Sequence, residues 1–321
     1  MGLPAVGLRI TPEGRLVFGM QLPLVAQTGI LTQPWERTAP PSDILRVAQA
    51  ADRLGYFYVS ACDHVCIPRD KAEAMSTAWY DPVATLGFVA AATRQIRLLT
   101  SVLVLPYRHP LITAKQFATL DALSNGRVIL GVGAGHVQAE FAQLGIDYTQ
   151  RGSRTDEAID LVRAAFTNEY PEHSGTHWTV RDMGQQPRPV QQPRPPIWVG
   201  GNTPAALKRV GRRADGWIPQ GTFRDQLPEQ IATIRAHRQA AHGDQPLDVG
   251  ATSEWMYVGT PSWEVPAGTR SGTPAELAAP LRELKALGVT HVSTRFRTRS
   301  CDELIDQLAA FATQVAPLVN A

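Results

Sequence analysis

The segment Gly126-Arg-Val-Ile-Leu-Gly-Val-Gly-Ala-Gly-His136 joins a short apolar run to alternating glycines and a histidine. No polar side chain interrupts the run from Val128 to Val132, which is typical of a strand buried on both faces in a parallel sheet. The glycines at positions 131, 133 and 135 remove side chains where this strand ends, so that the backbone can approach a flat ligand. The segment therefore predicts a buried strand with a ligand site at its carboxyl end.

The glycine spacing indicates an NAD site only weakly. A dinucleotide fingerprint needs Gly-x-Gly-x-x-Gly, followed by an acidic residue about 20 positions further on. The spacing here is Gly-x-Gly-x-Gly, and His136 is the first polar side chain after it.

The length and charge of the chain indicate a globular protein with a large core. The chain has 321 residues, 44% hydrophobic and 19% charged, with a formal net charge of +2. Such a chain can bury a large core, as one barrel or as two smaller domains. It has no stripe of Lys and Arg interleaved with aromatic residues, so we do not expect nucleic acid as a partner.

The sequence also lacks membrane and export signals. No run of 18 apolar residues occurs, and residues 1–14 have neither the basic start nor the apolar core of a signal peptide. Three cysteines, an odd number, do not suggest a disulfide framework and fit a reducing compartment. We therefore expect a cytoplasmic protein without a membrane partner.

Strand and helix patterns alternate along the whole chain. The predicted strands are 16–22, 56–60, 96–103, the segment quoted above, 197–199, 215–218, 249–258 and 289–296. Helical patterns separate them without a break in composition. Eight strands alternating with eight helices predict an α/β fold, a (β/α)8 TIM barrel with loop insertions at its C-terminal face.

A second segment, Pro195-Pro-Ile-Trp-Val-Gly-Gly-Asn-Thr-Pro204, ends a strand and begins a helix. Asn202 or Thr203 can cap that helix, and Pro204 suits its first position. The free N–H groups of a helix N-terminus bind anions such as phosphate. The alternative is that Gly200 and Gly201 only permit a tight turn.

Five motifs then occur in order along the chain: Asp63-His64-Val65, Leu99-Thr-Ser-Val-Leu-Val104, the run 126–135, Ile197-Trp-Val-Gly-Gly-Asn-Thr-Pro204 and Ala214-Asp-Gly-Trp217. Together they resemble the luciferase-like monooxygenase superfamily, and most closely its branch that uses the deazaflavin coenzyme F420 in place of FMN. This resemblance implies one luciferase-like barrel domain over residues 1–321, with an irregular excursion at about 167–196.

The resemblance implies coenzyme F420 as the cofactor, with FMN as the alternative. Ser101 and Val102 match a non-prolyl cis peptide that forms a bulge beneath the ring, while Asp63 matches a residue near the ring. The backbone expected to hold the cofactor phosphate is Gly200, Gly201 and Asn202. The remaining expected cofactor contacts are Gly133, Ala134, Gly135, Val199 and Thr203.

Two histidines are the candidate catalytic residues. An imidazole has an unperturbed pKa near neutrality, so His64 and His136 can each act as a general acid or base. They follow different strands, and we expect them to approach the barrel mouth from different sides. The resemblance places His64 nearer the reacting carbon. The structural alternative is that His64 only closes its loop, with Asp63 fixing its tautomer.

The predicted function is hydride transfer between F420 and a small organic substrate. The alternatives are an FMN-dependent monooxygenase working with a separate flavin reductase, and a non-catalytic flavin-binding protein. We predict no metal, because Cys62, His64 and Cys66 have no fourth ligand nearby in sequence. Arg108 is interpreted as an ordinary surface charge, unless the acidic tail of the cofactor runs past it. The resemblance also implies a homodimer.

Overall fold

The computed structural model describes residues 6–321. Residues 1–5 belong to the stretch 1–14 in which we expect no signal peptide, and they lie outside the described residues. The strands are β1 (Val17–Gln21), β2 (Tyr58–Ala61), β3 (Arg97–Thr100), β4 (Leu103–Val104), β5 (Val128–Gly133), β6 (His173–Ser174), β7 (Thr179–Val180), β8 (Ile197–Gly200), β9 (Gly216–Ile218), β10 (Asp248–Val258), β11 (Arg270–Gly272) and β12 (His291–Phe296).

The predicted barrel is confirmed. Strands β1, β2, β3, β5, β8, β9, β10 and β12 pair in this order, all parallel, and the pairing of β12 with β1 closes the ring. The third strand differs from its prediction, because it breaks after Thr100 and resumes as β4, which pairs with β5. The excursion also contains a short antiparallel hairpin of β6 and β7.

Helices follow the strands and cover the outside of the barrel. They are α1 (Ser42–Arg53), α2 (Ala72–Met75), α3 (Pro82–Ala92), α4 (Pro110–Ser124), α5 (Gln138–Gln143), α6 (Arg151–Thr167), α7 (Pro204–Arg213), α8 (Leu227–His242), α9 (Pro274–Ala286), α10 (Cys301–Ala310) and α11 (Ala316–Asn320). Apolar side chains between helices and strands form the main core. Within residues 6–321, no helix is long and apolar enough to cross a membrane.

A smaller cluster fills the inside of the barrel. It consists of Tyr58, Leu99, Ile129, Trp198 and Ile218, one from each of five neighbouring strands. Because side chains alternate across a strand, these residues point inward while their neighbours meet the helices. The barrel is therefore a packed core, and its chemistry must lie at an end.

The N-terminal segment seals one end of the barrel. The carboxylate of Asp215, before β9, accepts hydrogen bonds from the amides of Gly7 (2.9 Å) and Leu8 (3.1 Å). Asp248, at the start of β10, accepts one from the amide of Ile10 at 3.0 Å. The side chain of Ile10 packs against the inner cluster. The amino ends of the strands are thereby closed, and the carboxyl ends remain for a site.

A buried histidine lies inside the barrel. His291 is 1% exposed, its ring stacks on Trp198 with centroids 4.1 Å apart, and its Nε2 lies 3.2 Å from the carbonyl oxygen of Trp217. Burial lowers the pKa of His291 to about 3. The imidazole is therefore neutral in the folded protein.

This burial predicts a loss of stability in acid. Between the unfolded pKa of about 6.5 and the folded value, the unfolded chain binds the extra proton, so the free energy of unfolding falls as the pH falls. The expected loss from His291 between pH 7 and pH 5 is about 2 kcal/mol. Urea unfolding of the wild type and of His291→Gln at both pH values measures it.

The variant His291→Gln should lose less stability over this interval than the wild type, whatever its stability at pH 7. Equal dependence in the wild type and in His291→Gln would contradict the prediction.

Candidate active site

The break between β3 and β4 shapes the carboxyl end of the barrel. The peptide bond between Ser101 and Val102 is cis, as predicted. A Cβ added to Gly133 would lie 2.6 Å from the Val102 side chain, and one added to Gly200 would lie 2.5 Å from it. The side chain of Val102 is therefore wedged between the ends of β5 and β8, in space that only glycines leave open.

This packing corrects the interpretation of the glycine run. A Cβ at Gly131 would lie 1.9 Å from the carbonyl oxygen of Thr100, and one at Gly135 would lie 2.7 Å from Val104. Gly135 also has a φ of +77°, which favours glycine. These glycines thus make room for atoms of the chain itself rather than for the approach of a ligand.

A buried hydrogen-bonded pair of side chains lies beside this bulge. The Nδ1 of His64 is 2.9 Å from Oε2 of Glu140, and the two side chains are 8% and 0% exposed. His64 follows β2, whereas Glu140 belongs to α5, after β5. The structural alternative, in which Asp63 fixes the tautomer of His64, is therefore wrong, because the carboxylate of Glu140 takes that position.

Both oxygens of Glu140 are saturated with donors. The hydroxyl of Tyr107 donates to Oε2 at 2.7 Å, while the amides of Val65 and Cys66 donate to Oε1. Burial would raise the pKa of Glu140, but the hydrogen bonds from His64, Tyr107 and Val65 outweigh it and lower that pKa. The carboxylate is therefore ionised at neutral pH, and it fixes the orientation of the His64 ring.

His136 lies against His64. The two ring centroids are 5.5 Å apart, so the two histidines, which follow different strands, meet at the barrel mouth. The ring of Trp79 contacts His64 as well, at 4.4 Å between centroids. Burial and the neighbouring His64 both lower the pKa of His136. His136 is exposed. It therefore presents an imidazole, neutral because of its lowered pKa, to the space above the barrel.

Asp63 is engaged within the chain. It is buried, and Arg108 contacts both of its oxygens, at 2.5 Å and 2.9 Å, while the amide of Val104 donates to it at 2.9 Å. Arg108 is thus an ion-pair partner and not the surface charge that we expected. Asp63 therefore holds in place the backbone that follows the Val102 bulge.

The N-terminus of α7 borders the same end of the barrel. The Thr203 hydroxyl caps it by accepting from the amide of Ala206, and the Trp217 indole donates to the Gly201 carbonyl at 2.8 Å. The amide of Gly201 donates to the carbonyl of Ile218, 3.2 Å away. Among the hydrogen bonds of residues 6–321, the amides of Asn202, Thr203 and Ala205 find no acceptor. Unpaired donors of this kind bind anions.

The structure brings the two predicted cofactor motifs together. Strand β5 lies between β3 and β8, so the ends of these three strands are neighbours. Asp63, Gly133, Val199 and Gly200 are buried there, and Thr203 is exposed. The half-buried members are Ser101, Val102, Ala134, Gly135, Gly201 and Asn202. The half-buried and exposed members form a surface that a ligand can reach.

Two arginines on the opposite side of the mouth were missed in the sequence. His291 and Ser293 face the inside of the barrel, where Tyr58 contacts both, and the alternation of β12 places Arg295 on the same face. Arg297 stacks on Trp255, 3.9 Å from its ring centroid. Neither arginine lies within 4 Å of a carboxylate of the described chain, 6–321. The alternation of side chains along the predicted strand 289–296 was the sequence signal that could have placed Arg295 on the inward face.

Comparison with known proteins identifies the family. The family described as luciferase-like monooxygenase matches residues 17–260. This range includes every element of the site except β12, with Arg295, and the following Arg297. The chain belongs to the luciferase-like monooxygenase family.

Relatives within the luciferase-like family use different cofactors. The chain is 34% identical over 182 residues to the F420-dependent glucose-6-phosphate dehydrogenase of Amycolatopsis mediterranei, covering 56% of this chain and 53% of that enzyme. It is 27% identical over 230 residues to the FMNH(2)-dependent dimethylsulfone monooxygenase of Pseudomonas putida, covering 70% and 61% respectively. An uncharacterized protein of Mycobacterium tuberculosis is 32% identical over 222 residues, covering 64% and 75%.

Solved structures of the luciferase-like fold agree with the barrel. The coenzyme F420-dependent tetrahydromethanopterin reductase of Methanopyrus kandleri superimposes with a TM-score of 0.73 at 18% identity, covering 95% of this chain and 99% of the reductase. This likeness concerns the fold alone.

The wedged valine generates a prediction about stability. Gly200→Ala should destabilise this luciferase-like protein by about 1 to 3 kcal/mol, because the added methyl group overpacks a stiff β-branched side chain. In the double variant with Val102→Ala, most of the loss from Gly200→Ala should disappear, which a double-mutant cycle of urea unfolding measures.

The matched control is Gly87→Ala. Gly87 is exposed in α3, and an added Cβ meets no atom within 4 Å. Because alanine is the better helix former by about 1 kcal/mol, this variant should be neutral or more stable. Additive losses at positions 102 and 200 would show that the wedge does not govern packing.

Proposed function

We propose that the protein is a coenzyme F420-dependent oxidoreductase that transfers a hydride between the deazaflavin and a small organic substrate. The observation that carries the proposal is the buried pair of His64 and Glu140 at the barrel mouth, because hydride transfer to or from a carbonyl or alkene needs one positioned proton donor or acceptor. The F420-dependent relative is also more similar in sequence than the FMN-dependent one, at 34% against 27% identity.

The residues present fit such a cofactor. The unpaired amides of Asn202, Thr203 and Ala205 suit a phosphate, and the bulge at Ser101 and Val102 offers a half-buried backbone surface for a flat ring. When bound, the deazaflavin supplies the ring carbon that gives or accepts the hydride.

The chain itself supplies the proton. Glu140 engages Nδ1 of His64, so that Nε2 is the nitrogen left for the substrate. In a reduction Nε2 gives its proton to the substrate, and in an oxidation it accepts one, while the ionised Glu140 offsets the charge of the imidazolium. His136, whose pKa is lowered, stays neutral and orients the substrate by a hydrogen bond.

The charge at the mouth favours an anionic substrate. Arg295 and Arg297 have no carboxylate partner among residues 6–321, and burial lowers the pKa of both guanidinium groups. A carboxylate or phosphate on the substrate would accept two parallel hydrogen bonds from a guanidinium group of these arginines. We therefore expect a small carbonyl, alcohol or unsaturated compound that carries such a group.

The second candidate is an FMN-dependent monooxygenase working with a separate reductase. The match to the FMNH(2)-dependent relative favours it in one respect, because that alignment covers 70% of this chain against 56% for the F420-dependent relative. The homodimer stays a prediction under either candidate.

Binding of the purified protein separates the two candidates. Fluorescence quenching should show saturable F420 binding at micromolar concentrations, with FMN at least about tenfold weaker, which corresponds to about 1.4 kcal/mol. Equal or tighter binding of FMN would favour the monooxygenase.

A matched pair of variants tests where the phosphate binds. Aspartate and serine both cap helices well, so Thr203→Asp and Thr203→Ser should keep α7 and the melting temperature. Only Thr203→Asp adds a carboxylate beside the unpaired amides, and it should weaken cofactor binding by at least about tenfold. Unchanged affinity in Thr203→Asp would place the phosphate elsewhere.

Kinetics separate the roles of the three polar side chains. With a substrate that supports turnover, followed by the absorbance of F420, His64→Ala should lower kcat by about 100-fold or more while cofactor affinity changes within a few fold. Glu140→Gln keeps the shape but not the charge, and should lower kcat by about tenfold. His136→Ala should act mainly on KM.

An inactive His136 variant beside a nearly normal His64 variant would reverse the two roles. Full activity in both histidine variants would contradict the proposed proton transfer and leave a water as the donor.

A further inference from the structure

A cavity lies at the opposite end of the barrel from the proposed active site. Its volume is about 770 Å³, and it is lined by the second half of α8, the last turn of α9 and the connections that enter β1, β10 and β12. It therefore lies at the amino-end face of the barrel, beside the segment that closes the strands, to which Arg9 belongs. No residue of the proposed cofactor or substrate site lines it.

The lining of this basal cavity is strongly cationic. Arg9, Arg15, Arg235, Arg238 and Lys285 contribute positive charges, and Asp244 is the one acidic residue among the described lining residues. Arg9 lies 3.9 Å from the buried Asp248. The other four cations form no salt bridge within residues 6–321. The cavity thus concentrates four cations that no salt bridge of the described chain neutralises, and the buried Asp215 attracts only Arg238, from beyond salt-bridge distance.

One of these cations is buried without enough acceptors. Arg238 is 4% exposed, and its Nη2 donates to the carbonyl of Ala214. Its Nε and Nη1 are buried and have no hydrogen-bond partner in the described chain, 6–321. Buried donors are almost always paired, and an unpaired donor on a charged group is costly. The guanidinium therefore lacks an acceptor that an anion in the cavity, or water ordered by it, would supply.

A simpler interpretation is that these cations only stabilise helix ends. Lys285 lies in the last turn of α9, where the helix dipole favours positive charge, and Arg235 and Arg238 lie in the second half of α8. Each helix end, however, carries only about half a negative charge. Two ends and Asp244 together offset about two of the four unpaired cations. A positive excess remains in the cavity.

We propose that the basal cavity binds a phosphate-bearing small molecule at a site separate from the active site. Arginine recognises phosphate through paired N–H donors, and three of the four unpaired cations are arginines. The volume lies within the range of small-molecule sites, about 300 to 1,000 Å³. The proposal does not depend on the proposed oxidoreductase activity.

Calorimetric titration with inorganic pyrophosphate at physiological salt tests the site. The titration uses the full chain carrying Thr203→Asp, so that the proposed cofactor cradle does not contribute. We expect one saturable site with a dissociation constant of about 1 mM or below. The key variant adds Arg15→Ala and Arg235→Ala, because both side chains are exposed and make no hydrogen bond in the described residues, so the fold should persist.

The double arginine variant should weaken pyrophosphate binding by at least about tenfold. The matched control is Arg53→Ala, an exposed arginine in the last turn of α1 without a salt bridge in the described chain. It should bind as the parent does. No saturable binding in the parent, or the same loss in Arg53→Ala as in the double variant, would overturn the proposal.

Discussion

The candidate active site depends on one buried carboxylate. Glu140 receives hydrogen bonds from the His64 ring, from the amides of Val65 and Cys66, and from the hydroxyl of Tyr107. These donors belong to the connections after β2 and after β4, whereas Glu140 belongs to α5. One charge therefore ties three separate connections into a single surface. Its removal would leave these four donors without their acceptor and would release the three connections from one another.

The floor of the site rests on complementary shape instead of charge. Val102 fits between Gly133 and Gly200, and the carbonyl of Thr100 fits against Gly131. Asp63 and Arg108 then hold the backbone on the far side of the bulge. The proposed ring surface is thus supported from below by close packing and from the side by an ion pair, neither of which requires a bound ligand.

The sequence predicted most of the fold because periodicity reports burial. The run 128–132 and the alternation of eight strands with helices were sufficient for the barrel, and the glycine motifs marked the correct end of it. The partners of the polar side chains could not be predicted from periodicity. Glu140 and Arg108 look like surface residues in a sequence, because their burial depends on connections distant in the chain. The glycines were located correctly, but the atoms that fill their space could not be read from spacing alone.

The closure of the amino end by residues 7–11 has a consequence for how the chain is made. The amide of Gly7 bonds a carboxylate 208 positions later, and that of Ile10 one 238 positions later. A ribosome adds about 5 to 20 residues per second, so these first-made amides wait roughly 10 to 50 seconds for their acceptors to emerge. The amino end of the barrel can therefore be sealed only after Asp248 has been made. Until then, residues 7–11 must stay available rather than commit to a local structure.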